Sequence, residues 1–474
     1  MRKKESPRNR AENTAVLEQI NHNAAGADIG SDTVWISVGK HVAEQPVRKF
    51  GTTTAQLRAS AEWMVSVGVE TVAIEATGVY WVPAYEIYEE HGLNPILISS
   101  RAIRTFNGMK KSDFVDCKWI QLLHTFGILQ PSVRVESLMI ELRGYMRHRK
   151  TLTEQCSEQI QRMQKALTLM NVRLDQAVSD ITGVTGMSIL RAIVKGERDP
   201  VKLAEMRKPG CARSEAEIAE ALRGHYRDEQ LFCLDHSIRM WDFFQRLMSE
   251  CDKKIETVLR KMPVKSEQTV AKTKRKPRKN QVRFDGKTLL EEKLGIDLTQ
   301  IRGLDVLTVL TVISECGVDL SRFPTSKHFK SWLGLCPGTK KSGHRVLSSR
   351  SRRTTNRGAT ALRVAAQSLL RSDSELGAVG RSLRGRIGPE KSLTAMAGKL
   401  ADRIYLSLKT GRVMEDRGAE YHDLKFHDRS IASLTKRARR LGLQLIPIPE
   451  HKKTTAAIDS FLEAKRRICT ATSV

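Results

Sequence analysis

The sequence predicts an α/β domain at its N-terminal end and a mostly helical remainder. Three patterns predict it. Short β-like runs alternate with amphipathic runs between residues 24 and 131. Residues 137–174 hold no proline and a single glycine, Gly144. Beyond residue 289, Gly-containing turns lead into apolar helical stretches.

In chain order the β-like runs are GADIG, TVWISVG, PVRKFG, TVAIEA and NPILISS. The helical runs between and after them are TTAQLRASAEWMVSVG, VPAYEIYEEHG and the segment that begins at Asp113. The first three strands are short and close together, as in a meander, while the later ones alternate with helices. In the proline-free stretch, Leu138, Leu142, Tyr145, Leu152, Cys156, Met163, Leu167, Met170 and Leu174 follow a 4-3 spacing, with Arg149 and Gln159 at seam positions. This is a long helix with a seam, expected either as a coiled coil or as a helix packed on its own protein's core. Residues 175–262 read as all-helical, with breaks near GVTG and MRKPGCARS. KTKRKPRKNQ (272–281) is a charge run with no apolar residue, the pattern of a solvated linker. The expected divisions are a flexible basic tail (1–22), an α/β domain (23–132), a helical region with its basic linker (133–285), a second compact domain (286–410) and a helical basic tail (411–474).

Composition narrows the partner. Lys and Arg number 80 against 53 Asp and Glu, a net charge of +27, and such an excess favours a polyanion, most commonly nucleic acid. No window has the roughly 18 apolar residues of a membrane span. The basic start MRKKESPRNRAENTA has no apolar run behind it, so no secretory signal is expected. Cysteines 117, 156, 211, 233, 251, 316, 336 and 469 are dispersed without a C-x-x-C pair, which suits reduced thiols in a cytoplasm and argues against a zinc finger.

The most informative segment is KKSDFVDCKWIQLL (110–123). Asp113 and Asp116 stand one helical turn apart and share a face, while Trp119, Ile120, Leu122 and Leu123 can bury another. Lys110 and Lys111 precede them as candidate nucleic-acid contacts. Two acids upstream suit the same centre: Asp28 closes AAGADIG, and Glu75 closes TVAIEATG at a strand end. Close carboxylates repel each other, and a divalent cation relieves that cost while gaining hard oxygen ligands. The competing reading of Asp-x-x-Asp is an N-cap with a dipole-favoured acid behind it.

A second constellation lies in LGLCPGTKKSGHRVLSSRSRRTTNRGATALRVAAQSLLRS. A Pro/Gly turn exposes Ser342, bracketed by Lys340, Lys341 and Arg345 and then by Arg350, Arg352 and Arg353. A serine among cations most often hydrogen-bonds a phosphate. As a nucleophile it needs activation, which nearby cations can supply, and Ser348, Ser349 and Ser351 compete for that role. Just upstream, IRGLDVLTVLTVISECG has the form of a helix-hairpin-helix, whose turn can present backbone N–H groups to a phosphate.

These motifs, in this order, resemble the DEDD transposases of bacterial insertion sequences, relatives of Piv-type DNA invertases. The resemblance rests on GADIGSDTVWISV, TVAIEATGVYW and KKSDFVDCKWI, on the helix-hairpin-helix and SG segments, and on MAGKLADRIYLSLKTG, so it covers nearly the whole chain. It implies a RuvC-like, RNase H-type N-terminal domain whose four acids hold Mg²⁺, with Mn²⁺ as an alternative; the matching positions are Asp28, Glu75, Asp113 and Asp116. It further implies a long coiled coil and a mainly helical C-terminal transposase domain carrying a nucleophilic serine, here Ser342. The implied activity is cutting and rejoining DNA at element ends and target through a covalent phosphoserine. A structured bridge RNA would act as guide, within a dimer or tetramer associated with the bacterial nucleoid. Two departures stand out. Asn356-Arg357-Gly358-Ala359 replaces a Lys-x-Gly-Asn found in many relatives, and Gly398 stands where close relatives often have histidine. They bear on nucleic-acid contact and on a proton-shuttling histidine, not on the acids or Ser342. Two other functions fit the residues: a metal-dependent Holliday-junction-type nuclease without covalent intermediate, and a non-catalytic RNA- or DNA-binding protein.

Overall fold

A computed structural model of the chain describes residues 18–76, 78–99, 103, 112–132, 136–266 and 279–446. The chain divides into two compact units, residues 1–134 and 135–474.

The first unit is built on a five-stranded mixed sheet. Its strands are β1 (Ala24–Ile29), β2 (Thr33–Ser37), β3 (Val47–Gly51), β4 (Thr71–Glu75) and β5 (Asn94–Ile98), in the order β3-β2-β1-β4-β5. The expected meander is present: β1 pairs antiparallel with β2, and β2 with β3. β4 and β5 then add in parallel, beyond β1, after helical crossovers. Helices α1 (Thr54–Ser66) and α2 (Trp81–Glu90) join these strands, and α3 (Asp113–Thr125) follows β5.

Strand alternation sorts the two faces. Ala25, Ala27, Ile29, Val34, Ile36, Val72 and Ile74 meet Leu57, Met64, Ala84 and Tyr88 of α1 and α2 in the main core. The opposite face receives α3, through Ala73, Ile98, Ile120 and Leu123. Leu122, grouped by sequence with the burying residues of α3, is instead 44% exposed, because it points away from the stripe defined by Cys117, Ile120 and Leu123.

In the second unit, α4 (Ser137–Leu169) lies against α5 (Asp228–Lys261) as an antiparallel hairpin. Contacts run in opposite directions along the pair: Lys261 pairs with Glu141, Asp252 with Arg149, and Met248 meets Thr153. The seam of the sequence is therefore used within one chain, and its buried line is Met139, Leu142, Met146, Arg149, Leu152, Cys156, Gln159 and Met163. Leu138 and Tyr145 sit half-buried beside it, one position off. Arg149 can occupy a buried seam position because Asp252 accepts from its Nε at 2.6 Å and the carbonyls of Asn280 and Gln281 accept from its Nη2. Such a satisfied pair fixes register rather than adding much stability. It also anchors the exit of the basic linker.

Shorter helices between α4 and α5 form their own core around Leu174, Ile181, Ile189, Leu190, Leu203 and Leu234. Downstream, α6 (Val306–Cys316) and α7 (Ser326–Leu333) precede a hairpin of β6 (Lys340–Ser342) and β7 (Arg345–Ser348). Helices α8 (Arg357–Leu369), α9 (Glu375–Ile387), α10 (Pro389–Thr410) and α11 (Gly418–Arg440) complete the unit, α8 packing on α6 and α10. No helix among the described residues is long and apolar enough to cross a membrane.

Candidate active site

The first unit gathers its acids by sheet register. On adjacent parallel strands Ala27 of β1 lies opposite Ile74 of β4, and the next residue of each strand is an acid, Asp28 and Glu75. Both stand on the face that carries α3.

Gly26 sets how closely α3 approaches. A Cβ at this position would lie 2.3 Å from the Gln121 backbone nitrogen and 2.5 Å from the Cys117 carbonyl oxygen. Helix backbone thus rests directly on strand backbone. This brings the first turn of α3, with Asp113 and Asp116, beside Asp28, two residues further along β1. Gly26→Ala should shift the helix and lower the thermal stability of this unit by about 1–3 kcal/mol, the cost of overpacking a tight contact. Unchanged melting would mean the helix is free to move. The sequence carried this signal as the small-residue run Ala24-Ala25-Gly26-Ala27, without saying what would fill the space.

The N-cap alternative for the acids is not how the helix begins. Ser112 is the cap, its hydroxyl accepting from the Val115 N–H, and Asp113 and Asp116 occupy the first turn behind it. The helix dipole favours both carboxylates there. Phe114, between them, meets Trp35 edge-to-face at 5.9 Å, and Trp35 is the cross-strand partner of Asp28.

The electrostatic result centres on Asp28. Burial raises its carboxyl from 3.8 to about 7, and repulsion from Glu75, Asp113 and Asp116 adds to the rise. Asp113 is exposed, whereas Asp28, Glu75 and Asp116 are half-buried. Asp28 therefore senses three other carboxylates at one strand end. Buried Cys117 is pushed up to about 12 by burial and then by Asp28, and its thiol donates to the Phe114 carbonyl, so it is a protonated core residue of the metal-free protein. The donors are then all oxygen, the set that fits Mg²⁺ or Mn²⁺ rather than zinc. The side chains stop short of a coordination sphere: among the described residues no three His, Cys, Asp or Glu converge closely enough to hold an ion. Donor chemistry and charge fit a divalent cation, and its binding would require the carboxylates to draw inward. Lys110 and Lys111 lie outside the described residues.

The second unit presents Ser342 at the tip of the β6–β7 hairpin. Ser342 pairs with Arg345 across a two-residue turn, Gly343-His344, in which Gly343 has φ +54°. A positive φ at the first turn position is the reason for glycine there. Ser342 is exposed, and no hydrogen bond holds its hydroxyl among the described residues. Lys340, Lys341, Arg345, Arg350 and Arg353 are exposed around the hairpin without ion-pair partners among the described residues, while Arg352 donates to the Trp332 carbonyl at 3.1 Å. The competing serines differ in setting. The Ser348 hydroxyl accepts from the Arg350 N–H, Ser351 bridges to Pro337, and Ser349 is exposed just past the end of β7.

Three features of the sequence have local settings. The turn before α6 is present, with Gly303 at φ +90°, but the Asp305 carboxylate caps the helix at Thr308, placing an anion where a phosphate would bind. Asn356 caps α8 by accepting from the Ala359 N–H at 3.0 Å, so its departure from Lys-x-Gly-Asn has a structural use. Gly398 packs beside Lys330 and leaves only ordinary contact room.

Two family models match the chain. One, described as a transposase of the DEDD IS110 kind, spans residues 25–172 and contains all four acids. The other, described as the transposase IS116/IS110/IS902 family, spans residues 297–379 and contains Ser342 with its cations. No curated protein matches the chain.

Proposed function

The chain belongs to the DEDD transposases of the IS110 type, and from that premise we propose that it cuts and rejoins DNA at element ends and target, using the four acids and Ser342. One observation carries the proposal: the charges of Glu75, Asp113 and Asp116 converge on Asp28, inside the matched segment. Structural proteins rarely tolerate such mutual repulsion without a use for it. The meander continued by parallel strands supports an RNase H-type, RuvC-like reading of the first unit.

In this account Asp28, Glu75, Asp113 and Asp116 hold the divalent metal that DEDD transposases commonly use. When bound, it supplies charge neutralisation at a scissile phosphate. The Ser342 oxygen attacks phosphorus, the 3′ oxygen leaves with a proton, and the phosphoserine keeps the bond energy for rejoining. Lys340, Lys341 and Arg345 hold the phosphate's negative charge beside the serine, while Arg350, Arg352 and Arg353 bind flanking backbone. A structured guide RNA and further copies of the chain are the proposed partners, and the excess of positive charge supports the first of these.

A second reading has one observation in its favour. The Ser342 hydroxyl has no hydrogen-bond partner among the described residues to take its proton, as expected if water, not serine, attacks at the acids. Incubating the purified chain with DNA carrying element ends, guide RNA and Mg²⁺ separates the two. The transposase reading expects joined products, lost in EDTA; cleavage without joining supports the nuclease.

A further inference from the structure

One row of the sheet crosses the acid cluster and continues past it. Strand register places Lys49, Trp35 and Asp28 side by side on three adjacent strands, all on the face that carries α3. Above this row, Phe114 stands edge-on to Trp35, and Lys118, one turn along α3, puts its ammonium 3.8 Å from the Phe114 ring centre. The Lys49 ammonium lies 5.5 Å from the Trp35 ring centre. Phe114 is 42% exposed and Trp35 is half-buried. Two aromatic rings thus meet solvent beside the acids, each attended by a lysine.

A purely structural role explains the Trp35–Phe114 contact, which pins the start of α3 to β2. It does not explain why the rings remain open to water or why each faces a cation. Lysine is flexible and strongly hydrated, so an ammonium over a ring is readily exchanged for a phosphate. Aromatic faces flanked by mobile cations are how proteins take up unpaired bases without sequence preference.

We propose that Trp35 and Phe114 form a stacking shelf for an unpaired nucleotide of the strand whose phosphate reaches the acids, with Lys49 and Lys118 moving from the rings onto that nucleotide's backbone. The proposal rests on the acids acting on DNA. It adds that the strand is single-stranded, or unstacked, where it meets them. Charge fits this occupant: the acids repel phosphate until a cation is bound, so the two lysines provide the local attraction that admits the strand.

The test uses the full chain in EDTA, so that no cleavage occurs, and a short single-stranded oligonucleotide containing 2-aminopurine. Stacking on the shelf should quench the probe. Trp35→Leu and Phe114→Leu should each relieve the quenching and weaken single-strand binding about fivefold or more, the lower end of the measured effect of losing one stacked base. Trp35→Phe should retain most of both, duplex binding should change less than about twofold, and circular dichroism should match the parent. Undiminished quenching in folded variants would overturn the shelf, as would equal losses for duplex and single strand. Should the leucine variants unfold, the parent protein decides: 5-iodouracil photo-crosslinks must map to peptides containing Trp35 or Phe114, and crosslinks only elsewhere refute the proposal. Asp113→Ala must bind the probe at least as well as the parent. If it does and yet recombines DNA normally, the acid-site function fails while the shelf stands.

Discussion

Ser342→Ala should eliminate strand joining and the covalent protein–DNA product while nucleic-acid binding persists. Removing a nucleophile typically costs on the order of 10⁴-fold or more, far beyond the effect of losing one phosphate contact. Binding should survive because Lys340, Lys341 and Arg345 are untouched, and the turn should survive because Gly343, not Ser342, has the positive φ. Denaturing gels and peptide mapping of the linked fragment check this result. Linkage at Ser348, Ser349 or Ser351 would keep the chemistry and move the nucleophile. The neighbouring serines make that outcome less expected: one accepts a backbone hydrogen bond and another sits in a strand bridge, whereas Ser342 occupies the hairpin tip.

Replacing the acids should have a comparable effect on activity. Asp28→Asn, Asp113→Ala and Asp116→Ala should each abolish Mg²⁺-dependent cleavage. Asp28→Asn should also stabilise the metal-free protein at neutral pH. The sign follows from linkage. Burial, reinforced by Glu75, Asp113 and Asp116, raises Asp28 from 3.8 to about 7, so over that range the folded state keeps a proton that the unfolded chain has released. Stability of the metal-free protein therefore falls as pH rises through the window and levels off above it. Asp28→Asn should flatten that decline in thermal melts recorded from pH 4 to 8. Cation binding needs the ionised carboxylate, so affinity for Mg²⁺ should climb over the same window in the parent. A decline that persists unchanged in the variant would assign it to other groups.

Much of the fold was legible because each first-unit element carries a local signal. The period-2 runs became β1–β5, and the Asp113 run became a helix capped by Ser112. The seam at 137–174 was visible as a 4-3 spacing, but its partner was not, since the same spacing serves a second chain or a distant helix of the same chain. Contacts across the pair, such as Arg149–Asp252, 103 residues apart, and Thr153–Met248, identify α5 as that partner. The four acids were legible as residues at strand ends and a helix start. What the sequence could not supply was Gly26: nothing local says that its missing side chain is replaced by helix backbone. Nor could it supply the row Lys49–Trp35–Asp28, because strand register is set by pairing across the sheet and not along it. The helix-hairpin-helix pattern shows the reverse problem, since its Asp305, unremarkable in sequence, fills the helix terminus that the motif would offer to phosphate.

Asp28, Glu75, Asp113 and Asp116 are proposed to act as one cation site. The most direct test is a titration of the metal-free protein with Mn²⁺ at pH 8, followed by the loss of the free-ion electron paramagnetic resonance signal. The parent should bind one or two ions, in competition with Mg²⁺, and Asp28→Asn and Asp113→Ala should each lose at least one of them while keeping the parent's circular dichroism. Equal Mn²⁺ binding by the parent and a variant lacking all four carboxylates would contradict the account.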